Sequence, residues 1–205
     1  MDCVKIKSGT SLLRVFHAAP QAPAVDVYIN EKLVFSNLQF TQFSSYVKLK
    51  EGEYRIDIFQ TGTMVQPIIS GSLDLDEGQM LTIAAIGNLD DLSLLVINDN
   101  ADKKASPKVS SFRVVHLSPN TPAVDILVNN KILVENLAFK QNTSYVDIAP
   151  GSYNIEAVLN SNKESVLVFG AVLKTNRIYT IYIVGESPNL RAIQSVDGNT
   201  YLCRY

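Results

Sequence analysis

Two strings of this chain hold the residue types best suited to chemistry. The first is Arg14-Val15-Phe16-His17-Ala18-Ala19-Pro20-Gln21-Ala22-Pro23-Ala24-Val25-Asp26. The second is Arg113-Val114-Val115-His116-Leu117-Ser118-Pro119-Asn120-Thr121-Pro122-Ala123-Val124-Asp125. A guanidinium, an imidazole and a carboxylate in one short string could hold a metal, move a proton or tie down a loop. Tetrahedral zinc takes three or four nitrogen, sulfur or carboxylate ligands. Each string offers one His and one Asp, with no second His or Cys nearby. A hydrolase needs a nucleophile, a base and a group that orients the base. Glycine-rich phosphate loops, Gly-x-Ser-x-Gly elbows and His-Glu-x-x-His are all absent. The expectation is therefore a structural motif, with no enzymatic activity, cofactor or metal. Pro20, Pro23, Pro119 and Pro122 stiffen the connection between two strands and forgo backbone donors. His17 ends one strand and Asp26 starts the next. The imidazole can then bond a backbone carbonyl or the aspartate and pin the corner, with Arg14 as a further partner. His116, Asp125 and Arg113 repeat the arrangement.

Other polar groups are weaker candidates. Asn98-Asp99-Asn100-Ala101-Asp102 places hard oxygen donors between two halves, which suits calcium. A solvated linker is the simpler reading. Asp74-Leu75-Asp76-Glu77 and Asp90-Asp91 read as solvent-facing turns. Cys3 and Cys203 lie near opposite ends of the chain, and neither has a neighbour at redox or zinc spacing. A disulfide requires Cα atoms within about 7 Å. If the halves stand end to end, an intermolecular disulfide between successive molecules is more natural than an intrachain one. Two unpaired thiols are the alternative. Cys3-Val4-Lys5-Ile6-Lys7 alternates and could add a short strand to a neighbouring sheet edge, or extend its own first sheet.

The elements that must position these residues are duplicated. Residues 14–56 align with residues 113–155 without a gap, and 20 of the 43 positions are identical. A repeat this long is a whole domain rather than a solenoid unit. Period-two alternation dominates, as in Val25-Asp26-Val27-Tyr28-Ile29. Leu81–Ile86 and Tyr179–Val184 are nearly continuous apolar runs, each ending at a Gly. They read as central strands covered on both faces. Asn30-Glu31 and Asn129-Asn130 fit two-residue hairpin turns, because Asn tolerates positive φ. The predicted strands lie near 12–17, 24–30, 32–36, 44–49, 53–60, 66–75, 79–87 and 92–97, and recur in the second half. Short strands at this spacing predict an all-β chain of two tandem immunoglobulin-like antiparallel β-sandwich domains. The expected division is an N-terminal arm at 1–11, sandwiches at 12–99 and 111–199, a linker at 100–110 and a C-terminal tail at 200–205.

The paired strings resemble a bacterial family known as domain of unknown function 4397, over about 12–99 and 112–197. The resemblance implies an immunoglobulin-like fold and supplies no catalytic residues. Its members often occur as tandem repeats in secreted, surface or clostridial proteins. The start of the chain lacks the apolar core of a secretion signal. Within the family, that fits clostridial-type members made in the cytoplasm, some in the spore-forming mother cell.

Composition sets the outer limits. The 205 residues suffice for two domains. With 46% hydrophobic and 19% charged residues, the chain is globular. A net charge of −2 argues against general nucleic-acid binding, and no apolar run is long enough to span a membrane. Residues 1–100 carry −5 and residues 101–205 carry +3. Complementary potentials favour an acidic half docking on the basic half of the next molecule. The resulting expectation is a self-assembling structural protein of a bacterial surface, spore envelope or appendage, forming a homo-oligomer or head-to-tail polymer. A module that binds a surface glycan is the alternative. Tyr46, Tyr54, Tyr145 and Tyr153 recur at matched places and read as core or corner residues rather than stacking platforms.

Overall fold

A computed structural model describes residues 5–99 and 102–203. The chain divides into two compact units, Met1–Lys103 with Tyr201–Tyr205, and Lys104–Thr200. Each unit contains eight strands. In the first they are β1 (Thr10–His17), β2 (Val25–Ile29), β3 (Lys32–Leu38), β4 (Val47–Lys50), β5 (Gly52–Gln60), β6 (Ile69–Leu75), β7 (Met80–Ile86) and β8 (Ser93–Asn98). In the second they are β9 (Ser110–His116), β10 (Val124–Val128), β11 (Lys131–Leu137), β12 (Val146–Ile148), β13 (Gly151–Leu159), β14 (Ser165–Leu173), β15 (Arg177–Glu186) and β16 (Asn189–Val196). The sole helical element described is a 3-10 turn at Gly198–Tyr201. Every predicted strand is present, with shifted ends.

The first unit has two four-stranded sheets, ordered β4-β1-β7-β8 and β3-β2-β5-β6. The second repeats them as β12-β9-β15-β16 and β11-β10-β13-β14. β1 runs parallel to β7, and β9 to β15; the remaining strand pairs are antiparallel. Alternation builds the core. Leu13 and Val15 of β1, Leu81, Ile83 and Ala85 of β7, Val25 and Val27 of β2, and Ile56 and Ile58 of β5 form one buried cluster. That cluster draws on both sheets of the unit, so the two sheets share one apolar interior. The second unit has its own equivalent, including Val114, Ile126, Ile155 and Ile181.

β7 and β15 are buried on both faces, as their continuous apolar runs predict. β7 stops just before Gly87, at φ 101°, and β15 holds Gly185, at φ 93°, one residue before its end. A Cβ at Gly87 would sit 2.1 Å from the Asp91 carbonyl oxygen, so the turn admits no other residue unchanged. The expected hairpin turns also form. Asn30 and Glu31 have φ of 46° and 65°, and Asn129 and Asn130 have 47° and 65°. Two successive positive φ values match the twist of the flanking strands.

Two expectations about the chain ends change. Lys5, Ile6 and Lys7 are not in a strand, and Cys3 and Val4 lie outside the described residues. Tyr201, Leu202 and Cys203, expected in a tail after the second sandwich, group with the first unit.

Candidate functional site

The sequence strings place their polar groups on strands and corners, and the structure separates them into three networks per unit. Arg14 lies beside Thr82 in the parallel β1–β7 register, on the sheet face opposite the core. Its Nε donates to Thr82 Oγ1 at 2.8 Å, and that hydroxyl donates to Asp99 Oδ2 at 2.6 Å. Tyr46 donates its phenol to the same oxygen at 2.8 Å. The guanidinium carbon stands 4.6 Å from the Phe43 ring centre and 4.9 Å from that of Tyr46. Phe43 in turn stacks on Phe16 at 4.0 Å. Arg14, Thr82 and Asp99 are all buried. A buried cation costs several kcal/mol unless it is paired and bonded, and this cage supplies both. The second unit repeats it with Arg113, Thr180, Asp197 and Tyr145 at 2.9, 2.6 and 2.7 Å.

Asp99 is therefore not part of a solvated linker. It is fully buried and spends its carboxylate on Tyr46 and Thr82, which removes it from the calcium reading. Asn100 and Ala101 lie outside the described residues. Among the described residues no group of three or more His, Cys, Asp or Glu is placed to hold a metal ion.

The histidines and aspartates of the strings do not meet. His17 Nε2 donates to the Pro23 carbonyl at 2.9 Å, which fixes the proline corner from inside. His116 Nε2 makes the same contact to Pro122 at 3.3 Å. Each ring meets a phenylalanine edge to face, Phe40 at 6.2 Å and Phe139 at 6.5 Å. Burial pushes both imidazoles below their ordinary pKa, opposed by backbone carbonyls at Pro23 and Pro122. Ser118 is the nearest hydroxyl to a histidine in sequence, but it donates to the Gly185 carbonyl at 2.7 Å. Its backbone N–H, not its Oγ, faces His116 Nδ1 at 3.3 Å.

The aspartates hold a bulge and a loop. The β2–β3 register slips between Val25 and Val27, opposite Asn37 at φ 53°. Asp26 Oδ1 accepts the Asn37 N–H at 2.8 Å, and its Oδ2 accepts the Gly62 N–H at 3.0 Å. Burial raises the pKa of Asp26, but these N–H groups and the Thr61 hydroxyl outweigh it and leave it lowered. Asp125 does the same work with the Asn136 N–H at 2.9 Å, Asn160 at 2.8 Å and the Lys163 ammonium at 2.5 Å. The lysine, followed by these amides, pulls Asp125 down to about 2.

The remaining surface features lie away from the strings. An open groove of about 500 Å3 runs over Glu53, Tyr54, Arg55, Ser70, Gly71 and Ser72. At its edge Arg55 pairs with Asp57 at 2.8 Å, and Ser70 donates to Asp57 at 2.6 Å. Tyr54 and Tyr153 donate their hydroxyls to the Lys50 and Ala149 carbonyls, so they close corners as expected. The acidic stretches at Asp74, Asp76, Glu77, Asp90 and Asp91 are exposed. Cys203 is half-buried and carries no free thiol, whereas Cys3 lies outside the described residues.

This duplicated architecture has a family counterpart. The sequence pattern of the domain of unknown function DUF4397 matches residues 11–124 and again residues 110–201. The chain belongs to the DUF4397 family. No curated protein matches it. Among solved structures, this DUF4397 chain is similar to the Bacillus anthracis TIE protein, at 10% identity and a TM-score of 0.29. That similarity covers 87% of this chain and 34% of the other. A leucine-rich repeat protein from Bacteroides thetaiotaomicron is 14% identical with a TM-score of 0.22, over 88% of this chain and 26% of that one. A streptococcal virulence factor that binds alpha-glucan is 11% identical with a TM-score of 0.27, over 95% and 100%. The chain thus spans about a third of the first protein and about a quarter of the second.

Proposed function

We propose that this tandem DUF4397 chain is a non-enzymatic structural protein that self-associates on a bacterial surface, such as a spore envelope or appendage. The observation that carries this reading is the fate of the repeated strings. In both units Arg, His and Asp are buried and bonded to the protein's own strands, corners and loops. Residues spent on folding are not available to a substrate, and work is left to the outer surfaces of two immunoglobulin-like sandwiches. The opposed charges of the two halves favour head-to-tail docking, and a heterologous contact that does not close produces a filament. Analytical ultracentrifugation across concentration and salt, paired with negative-stain microscopy, tests it. Species larger than a monomer that dissociate as salt rises are expected. A strictly monomeric protein without particles at high concentration would sink the reading.

The second reading is a glycan-binding module. The groove beside Tyr54 favours it, because Glu53, Arg55, Ser70 and Ser72 offer hydrogen-bonding groups around a shallow floor. Saturable binding of a defined glycan, lost on Arg55→Ala, would promote it over assembly.

A further inference from the structure

The two units differ along one open edge, where the outer strands of their paired sheets face each other. In the first unit Ile56 pairs with Gly71, Ala85 with Leu94, and Ile83 with Val96. In the second, the equivalent Ile155, Ile183 and Ile181 pair with Phe169, Ala192 and Gln194. Gly71, Leu94 and Val96 therefore stand where Phe169, Ala192 and Gln194 stand. Phe169 packs against the second core, and Gln194 Nε2 donates to the Val172 carbonyl at 3.0 Å, tying β16 to β14. The hollow left beneath Phe169 is about 10 Å3.

Neither closure exists in the first unit. A cleft of about 360 Å3 opens between β6 and β8, with Ile69, Leu73, Ile83, Leu92, Leu94 and Val96 among its walls. Val96 faces inward with Ile83, yet it is 47% exposed. Leu94 reaches over Gly71, coming within 3.0 Å of where a Cβ would be, but the pair carries fewer carbons than Phe169 with Ala192. The volume lies within the range of small-ligand sites. β6 and β8 are outermost strands of their sheets, so each offers a backbone edge that an extended peptide could pair with.

We propose that the β6–β8 cleft of the first unit binds an aromatic side chain presented by an extended peptide segment of a partner protein. The ring takes the place that Phe169 fills in the second unit, and a peptide N–H takes the place of the Gln194 amide on the strand. This site does not depend on the assembly reading. The test uses the full chain and an acetylated pentapeptide, Thr-Val-Phe-Val-Thr, followed by methyl NMR. Saturable shifts are expected at Leu94 and Val96 and at Ile83 and Leu92, which the variants below retain, with none at Ala192. A peptide with alanine in place of phenylalanine is expected to shift none of these. The variant Gly71→Phe/Leu94→Ala/Val96→Gln installs the second unit's own residues, and is expected to weaken binding at least tenfold with unchanged thermal unfolding. Should it not fold, Val96→Glu at the exposed rim replaces it with the same expected loss. Absent or non-saturating shifts in the natural chain, or equal shifts at Ile83 and Leu92 in the variants, would overturn the proposal. Concentration-dependent shifts at Ile83 and Leu92 without peptide, abolished in the variants, would assign the cleft to a second copy and also overturn it.

Discussion

Asp125 is held by three side-chain or backbone donors, one on β11 and two on the loop between β13 and β14, and its charge is the price of keeping a bulge in place. Its pKa falls to about 2, mainly through Lys163. A carboxylate depressed in the folded state adds stability that is present above the unfolded pKa of about 4. That contribution disappears as pH drops from about 4 towards 2. Lys163→Met removes the largest single cause while leaving Asn136 and Asn160. We expect its acid-unfolding midpoint to move upward in pH, with a loss of about 1 kcal/mol at neutral pH, because the lysine itself is half exposed. An unchanged midpoint in pH-dependent circular dichroism would show that the amides alone set the charge. The matching carboxylate, Asp26, has Thr61 and Gly62 in place of the lysine. The two units thus reach one geometry with different donors.

Individual elements show how much of this was readable in advance. Strand existence followed from alternation, and the hairpin turns from Asn30-Glu31 and Asn129-Asn130. What could not be read was why Asp26 begins β2: its partner is the backbone of a bulge on β3, and bulges leave no periodic trace in sequence. At the corner the sequence leaves His17 two acceptors, a backbone carbonyl or Asp26, and the Pro23 carbonyl takes the imidazole. Turn chemistry also yields a test. Glu31 holds φ of 65°, a conformation that a long side chain adopts at a cost, whereas the second unit places Asn130 there. Glu31→Asn is expected to stabilise the first unit by about 0.5–1 kcal/mol. Urea unfolding with an unchanged slope and a higher midpoint would register it; a lower midpoint would mean that Glu31 has a stabilising role.

At the scale of the whole molecule, duplication has produced two units that each close their own interior, as the separate buried clusters show. The second unit is continuous, Lys104–Thr200, but the first also includes Tyr201–Tyr205. This asymmetry predicts unequal fragments. A chain of residues 104–200 is expected to unfold cooperatively in urea on its own. A chain of residues 1–103 is expected to be less stable than the same unit in the intact protein, because it lacks the returning tail. A fragment 104–200 without a cooperative transition would mean that the units do not fold separately.

The amino-acid order alone determined the repeat, the strands, their turns and the apolar interiors, because these depend on local alternation and on residues that tolerate particular backbone angles. Tertiary structure alone decided the partners of the buried charges. Arg14 meets Thr82 across 68 residues, and Tyr46 meets Asp99 across 53. Such pairings are created when distant strands become neighbours, and no spacing in the chain announces them. The same holds for the cleft: Gly71 and Leu94 acquire meaning once β6 and β8 face each other and Phe169 shows what fills the matching space.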